Sequence, residues 1–121
     1  MKNIEAAIAK YYEEGKTDLK AVHQIIKDEM NGGAKIIVPV IIADEGVMAQ
    51  YLNDSTQNVW CAVFTDMKEV PDGENKMLGS CPLIDIVQQV YRDSDCQGIV
   101  FNVFGNSLFL DKEEVEGLLR Y

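Results

Sequence analysis

The apolar positions of the chain fall into two periods, one helical and one alternating or continuous. Ile4, Ala7, Ile8, Tyr11 and Tyr12 recur at the spacing of one helix face, and Gly15 then supplies a stop. A second stripe, Leu19, Val22, Ile25, Ile26 and Met30, follows a cap at Asp18 or Thr17 and ends at Asn31-Gly32-Gly33. The short connection predicts an antiparallel helical hairpin. The pattern then turns β-branched. Residues 36–42 read as a strand in which Pro39, having no N–H to donate, argues for an edge position or a bulge. Asp44-Glu45-Gly46 reads as a turn, and residues 47–52 as a second strand with poor alternation.

Residues 59–64, Val-Trp-Cys-Ala-Val-Phe, are apolar throughout. A strand without a polar face is covered on both sides, so this is the expected central strand, with helices on at least one face. Alternation puts Trp60, Ala62 and Phe64 on one face and Val59, Cys61 and Val63 on the other. Thr65-Asp66 caps a short helical turn through Val70, Pro71-Asp72-Gly73 turns, and residues 76–79 form a brief edge strand. Ser80 is the expected cap of a helix with Pro82 in its first turn and a core stripe of Leu83, Ile86, Val87, Val90 and Tyr91. Two further apolar runs, 99–103 and 108–110, flank Gly105-Asn106-Ser107, residue types that tolerate the positive φ of a tight hairpin. Asp111 then caps a last helix, with Glu114 completing an acidic capping box and Leu110 and Val115 a hydrophobic staple. The order predicts a single α+β domain over residues 1–121. It has an N-terminal helical hairpin, a mixed or antiparallel sheet of about four to five strands, and two further helices.

Charge and composition narrow the function classes. The net charge is −9 and no basic cluster occurs, so neither a phosphate backbone nor an anionic membrane is an expected partner. No apolar run approaches the roughly 20 residues of a membrane helix, and the start of the chain lacks the apolar core of a secretory signal. A cytoplasmic protein is the expectation. Three cysteines without a Cys-x-x-Cys pair support neither a disulfide framework nor a zinc site.

Candidate chemistry is sparse. His23, the only histidine, sits at the border of its helix stripe without a nucleophile nearby. Cys61 in the apolar strand is expected to be inert. Cys81, placed in the first turn of the third helix, is expected to have a lowered pKa from the helix dipole. Cys96 lies among acids that disfavour a thiolate. The pairs Asp44/Glu45 and Asp93/Asp95 match no cation-binding pattern, and no phosphate loop, dinucleotide fingerprint or hydrolase motif is present. No catalytic residue, metal or cofactor is therefore expected.

The chain resembles the SseB protein N-terminal domain family. The residues that carry the likeness are Ile37-Val-Pro-Val40, the strand ending Val63-Phe-Thr-Asp66, the helix 83–91, and residues 98–110 with the glutamate-rich helix behind them. The family often has proline where this chain has Val103 and serine where it has Asp66. The resemblance implies a bacterial, cytoplasmic protein named for a serine-sensitivity phenotype, with no agreed catalytic residues to carry over. The expected role is a non-enzymatic module that binds another protein or a second copy of itself. Phe104 at the hairpin bend is the candidate partner contact. The alternatives are a small-molecule sensor, for an amino acid in view of the family name, with Thr65, Asp66 and Asn102 as its polar groups, and an enzyme using Cys81 or Cys96.

Overall fold

The computed structural model describes residues 2–43, 46–49, 51–53, 56, 58–70 and 77–120. Helices α1 (Lys2–Glu13) and α2 (Leu19–Asn31) form the N-terminal hairpin. Gly15 and Lys16 turn between them with φ of 75° and 63°, the left-handed region that reverses a chain after a helix. Asp18 caps α2 by accepting from Ala21 N–H at 3.2 Å. Asn3, near the start of α1, donates to Glu29, near the end of α2, which fixes the antiparallel pairing.

The α+β class holds, and the strands are divided between two sheets. Strands β1 (Lys35–Ala43), β2 (Gly46–Ala49) and β5 (Met77–Pro82) make a three-stranded sheet in the order β2-β1-β5. Strands β3 (Tyr51–Asn53), β4 (Val59–Val63), β6 (Cys96–Phe101) and β7 (Leu108–Asp111) make a four-stranded sheet in the order β3-β4-β6-β7. The pairs β3·β4 and β6·β7 are antiparallel and β4·β6 is parallel. The parallel pair is spanned by a crossover through β5 and α3 (Leu83–Arg92), as parallel strands require. A two-way backbone bridge between Ile37 and Phe64 joins the two sheets. The last helix, α4, is Lys112–Leu119.

Four expectations are corrected. The single strand expected over residues 47–52 is two strands that serve different sheets. Pro39 lies in the middle strand of its sheet, not at an edge. Ladder parity explains why it is tolerated there. Ile37 turns its N–H and C=O toward Phe64, so Ile37 and Pro39 both face away from β5. The missing N–H therefore falls where the β4 bridge ends and the β2 pairs, which begin at Val40, take over. The third correction concerns α3. Its N-cap is Pro82, without a side-chain cap bond, while Ser80 and Cys81 belong to β5. Tyr91, expected in the core, is 46% exposed. The turns expected at Asp44-Glu45 and Pro71-Asp72-Gly73 lie outside the described residues.

One apolar cluster joins the helices to both sheets. Ile4 and Ile8 of α1, Ile26 of α2 and Val87 of α3 meet Val63, Ile99, Phe101 and Leu110 from the sheet. The alternation expected for β4 holds: Cys61 and Val63 enter this cluster, while Ala62 and Phe64, also buried, lie outside it. On that second face Trp60 meets Phe109 edge-on at 5.0 Å and Phe64 stacks on Phe104 at 6.2 Å.

The four-stranded sheet depends on Gly98. The β4·β6 register shifts beside it, and a Cβ there would lie 1.9 Å from the Leu110 carbonyl oxygen. Backbone cannot yield as a flexible side chain does. Gly98→Ala is therefore expected to cost on the order of 3 kcal/mol, read as a lower urea midpoint at unchanged slope. An unchanged midpoint would refute the close approach.

Candidate functional site

The sequence nominated Thr65, Asp66 and Asn102. The fold brings Thr65 and Asn102 together at the carboxyl ends of the parallel strands β4 and β6. Both are buried, at 5% and 3% exposure. Asn102 N–H donates to Val63 O at 2.9 Å, extending the ladder one residue past β6. A continuing strand would next offer the Asn102 carbonyl to Thr65 N–H. Asn102 instead turns left-handed, at φ 53°, and its carbonyl accepts from Gly105 N–H at 2.9 Å. Its side-chain Oδ1 accepts from Thr65 N–H at 3.0 Å in the carbonyl's place. The carboxamide thus supplies the ladder bond that the turned backbone no longer can.

The remaining polar atoms of this pair are also engaged. Asn102 Nδ2 donates to Thr65 Oγ1 at 3.0 Å, and Thr65 Oγ1 donates to Glu5 Oε1 at 3.0 Å. Lys68 Nζ donates to Glu5 Oε2 at 3.0 Å, and the neighbouring carboxylate raises the Lys68 ammonium pKa. At the other end of α1, Tyr12 donates its hydroxyl proton to Ser107 O at 2.6 Å. Helix α1 therefore runs across the carboxyl ends of β4 and β6 and the start of β7. In open sheets with parallel strands, ligands bind outside those carboxyl ends. Here α1 occupies that position. Glu5 and Lys68 were not anticipated. Neither lies near its partner in sequence, so no local signal pointed to them.

Asp66 does not join the pair. It is exposed and accepts from Lys68 N–H at 3.0 Å, capping the 3-10 turn Met67–Glu69 as expected. Phe104 is exposed at 57%, as expected for the bend, with Phe109 at 46% and Met67 at 56%. The bend itself differs from the expected tight turn. β6 ends at Phe101 and β7 begins at Leu108, and the left-handed residue is Asn102 rather than Gly105 or Asn106.

The other candidates have structural surroundings. His23 Nε2 lies 2.8 Å from Glu114 O, and its ring packs against Gly117, where a Cβ would come within 3.2 Å. It is a boundary residue that docks α2 on α4. Asp111 caps α4 by accepting from Glu114 N–H at 3.0 Å. The reciprocal half of the capping box is present, the Asp111 backbone N–H donating to the Glu114 carboxylate, while Glu114 Oε2 is buried without a hydrogen-bond partner among the described residues and burial raises the Glu114 pKa. Asp93 accepts from Asp95 N–H at 3.0 Å, a turn contact. Asp44 and Glu45 lie outside the described residues, among which no group of three or more His, Cys, Asp or Glu is placed to hold a metal. No helix among them is long and apolar enough to cross a membrane.

The thiols stand as follows. Burial pushes Cys61 up to about 12, with the nearby Cys96 and Cys81 adding to it. Cys96 is buried and raised for the same first reason, and its thiol donates to Gly98 O at 3.3 Å. Cys81 corrects the sequence reading. It lies in β5 opposite Ile36, not in a helix turn, and burial and then Asp85 raise its pKa where a helix dipole would have lowered it. Comparison with family models, curated proteins and solved structures returns no match.

Asn102→Ala leaves the buried Thr65 N–H without an acceptor and replaces a residue type that tolerates the left-handed region by one that does so less readily, so it is expected to cost on the order of 3 kcal/mol. Asp66→Ala removes only an exposed cap and should cost about 1 kcal/mol or less by the same denaturation measurement. Equal losses would show that the Asn102 bond is not structural. In thiol labelling at neutral pH, Cys61 and Cys96 should react only as fast as the protein unfolds. Cys81 should react faster than these but more slowly than a free thiol, its rate rising with pH. Rapid labelling of folded Cys61 would contradict its burial.

Proposed function

We propose that this chain is a non-enzymatic, cytoplasmic interaction module of the SseB-like kind, which acts by binding a protein. The observation that carries this reading is the division between its polar and aromatic groups. Thr65 and Asn102 spend their hydrogen bonds on each other and on α1. Phe104 and Phe109, by contrast, leave about half of their surface in water. They lie beside Phe64 and Trp60 on the sheet face turned away from the helical core. Large apolar rings gathered on one face favour contact with another protein. The raised thiol pKa values weigh against nucleophilic chemistry at Cys61, Cys81 and Cys96.

The test is affinity capture from cell extract with the wild-type chain and Phe104→Asp as parallel baits. A specific protein enriched by the first and lost by the second is expected. If the two baits recover the same proteins, Phe104 is not a contact. If neither recovers anything and the chain is strictly monomeric, the interaction reading fails.

A further inference from the structure

The exposed ring of Phe104 has acidic neighbours. Phe64, itself buried, stacks on it with 6° between the ring planes and covers one side, leaving the other to water. The turn Met67–Glu69 lies against the same bend. A Cβ at Gly105 would come within 2.8 Å of Glu69 Oε2, so the glycine leaves the room in which this carboxylate sits beside Phe104. Met67, at the start of the turn, is also exposed. The cation of the turn is engaged elsewhere: Lys68 Nζ pairs with Glu5 of α1 at 3.0 Å. Asp66 is exposed and caps the turn through one oxygen. The Glu69 carboxylate has no hydrogen-bond or ion-pair partner among the described residues. An open aromatic face therefore stands next to carboxylates that no cation of the described chain neutralises.

We infer that this bend docks a cationic segment of a partner protein, with an arginine laid on the open face of Phe104 and its guanidinium against the Glu69 carboxylate. This rests on the protein-binding reading and names the chemistry of the partner. The face of an aromatic ring attracts a cation through the electron density above it. A guanidinium is planar and weakly hydrated, so it stacks on the ring and still donates in its own plane to a carboxylate. A lysine ammonium is a compact, strongly hydrated charge that does this less well. Met67 offers adaptable apolar surface for the rest of the segment. Complementarity of charge excludes the other occupants. A neutral or acidic partner seated on Phe104 would take the Glu69 carboxylate out of water without supplying a counter-charge, which opposes binding. The net charge of −9 acts in the same direction at longer range, drawing basic segments toward the chain before contact.

The test is a titration of the full chain, followed through its backbone amide chemical shifts. The probes are an end-blocked peptide, Gly-Arg-Leu-Arg-Gly, and its glutamine counterpart, Gly-Gln-Leu-Gln-Gly. The arginine peptide is expected to bind with a dissociation constant on the order of 1 mM, to move the amides of residues 66–69 and 103–105, and to weaken as salt is added. The glutamine peptide should bind at least about 10-fold more weakly. Glu69→Gln and Phe104→Leu should each weaken the arginine peptide by about 3-fold or more. Glu113→Gln, at an exposed acid of α4, should leave it unchanged. No binding of the arginine peptide overturns the proposal, as does equal binding of the two peptides. Equal weakening by Glu69→Gln and Glu113→Gln also overturns it, because the attraction is then to an acidic chain in general. Extract capture separates the two readings. A Phe104-dependent protein that the Glu69→Gln bait retains in full overturns the arginine contact alone, and baits that enrich nothing overturn both.

Discussion

The hydrogen bond from Thr65 N–H to Asn102 Oδ1 is the constraint on which the arrangement turns. It closes the parallel ladder after β6 has already bent away, so that strand pairing and chain reversal meet at one residue. Both partners are buried, and a buried polar pair stabilises a fold only when every member is satisfied. Here Glu5 completes it by accepting the Thr65 hydroxyl proton. The seating of α1 is thereby tied to the geometry of the sheet end. Losing any one of these groups would strand the others away from water.

The same arrangement governs what the surface offers. The polar side chains at the carboxyl ends of the parallel strands are turned inward and consumed, and α1 lies over them. The aromatic residues at the bend and on β7 receive no such cover from the helical layer. The position that serves as a ligand crevice in many parallel sheets has become an internal joint. The chemically plain outer face carries the exposed rings instead.

Local features were legible in the sequence and pairing was not. The caps at Asp18, Asp66 and Asp111 are where residue type and spacing put them, because a cap depends on residues within one turn. The stripes of α1 and α2 and the buried alternation of β4 follow from periodicity. The division of residues 47–52 between two sheets depends on partners distant in the chain, which periodicity cannot name. Pro39 misled for the same reason: its tolerance depends on which neighbour lies on which side of β1. At the bend, several residues were suited to positive φ, and the ladder geometry selected Asn102 over Gly105. Ser80 has the chemistry of a cap, but pairing with Ile37 keeps it in β5. Of the three nominated residues, Thr65 and Asn102 do meet while Asp66 stays outside, yet nothing local announced that Glu5 would join them.

The seating of α1 also has a temporal side. Its contacts reach Thr65 from Glu5 and Ser107 from Tyr12, the second spanning 95 residues. An element made early thus finds its last partner only after nearly the whole chain exists. Contacts so far apart in sequence slow the search for the native state. The contact between Tyr12 and Ser107 therefore closes only once the two ends of the fold have met.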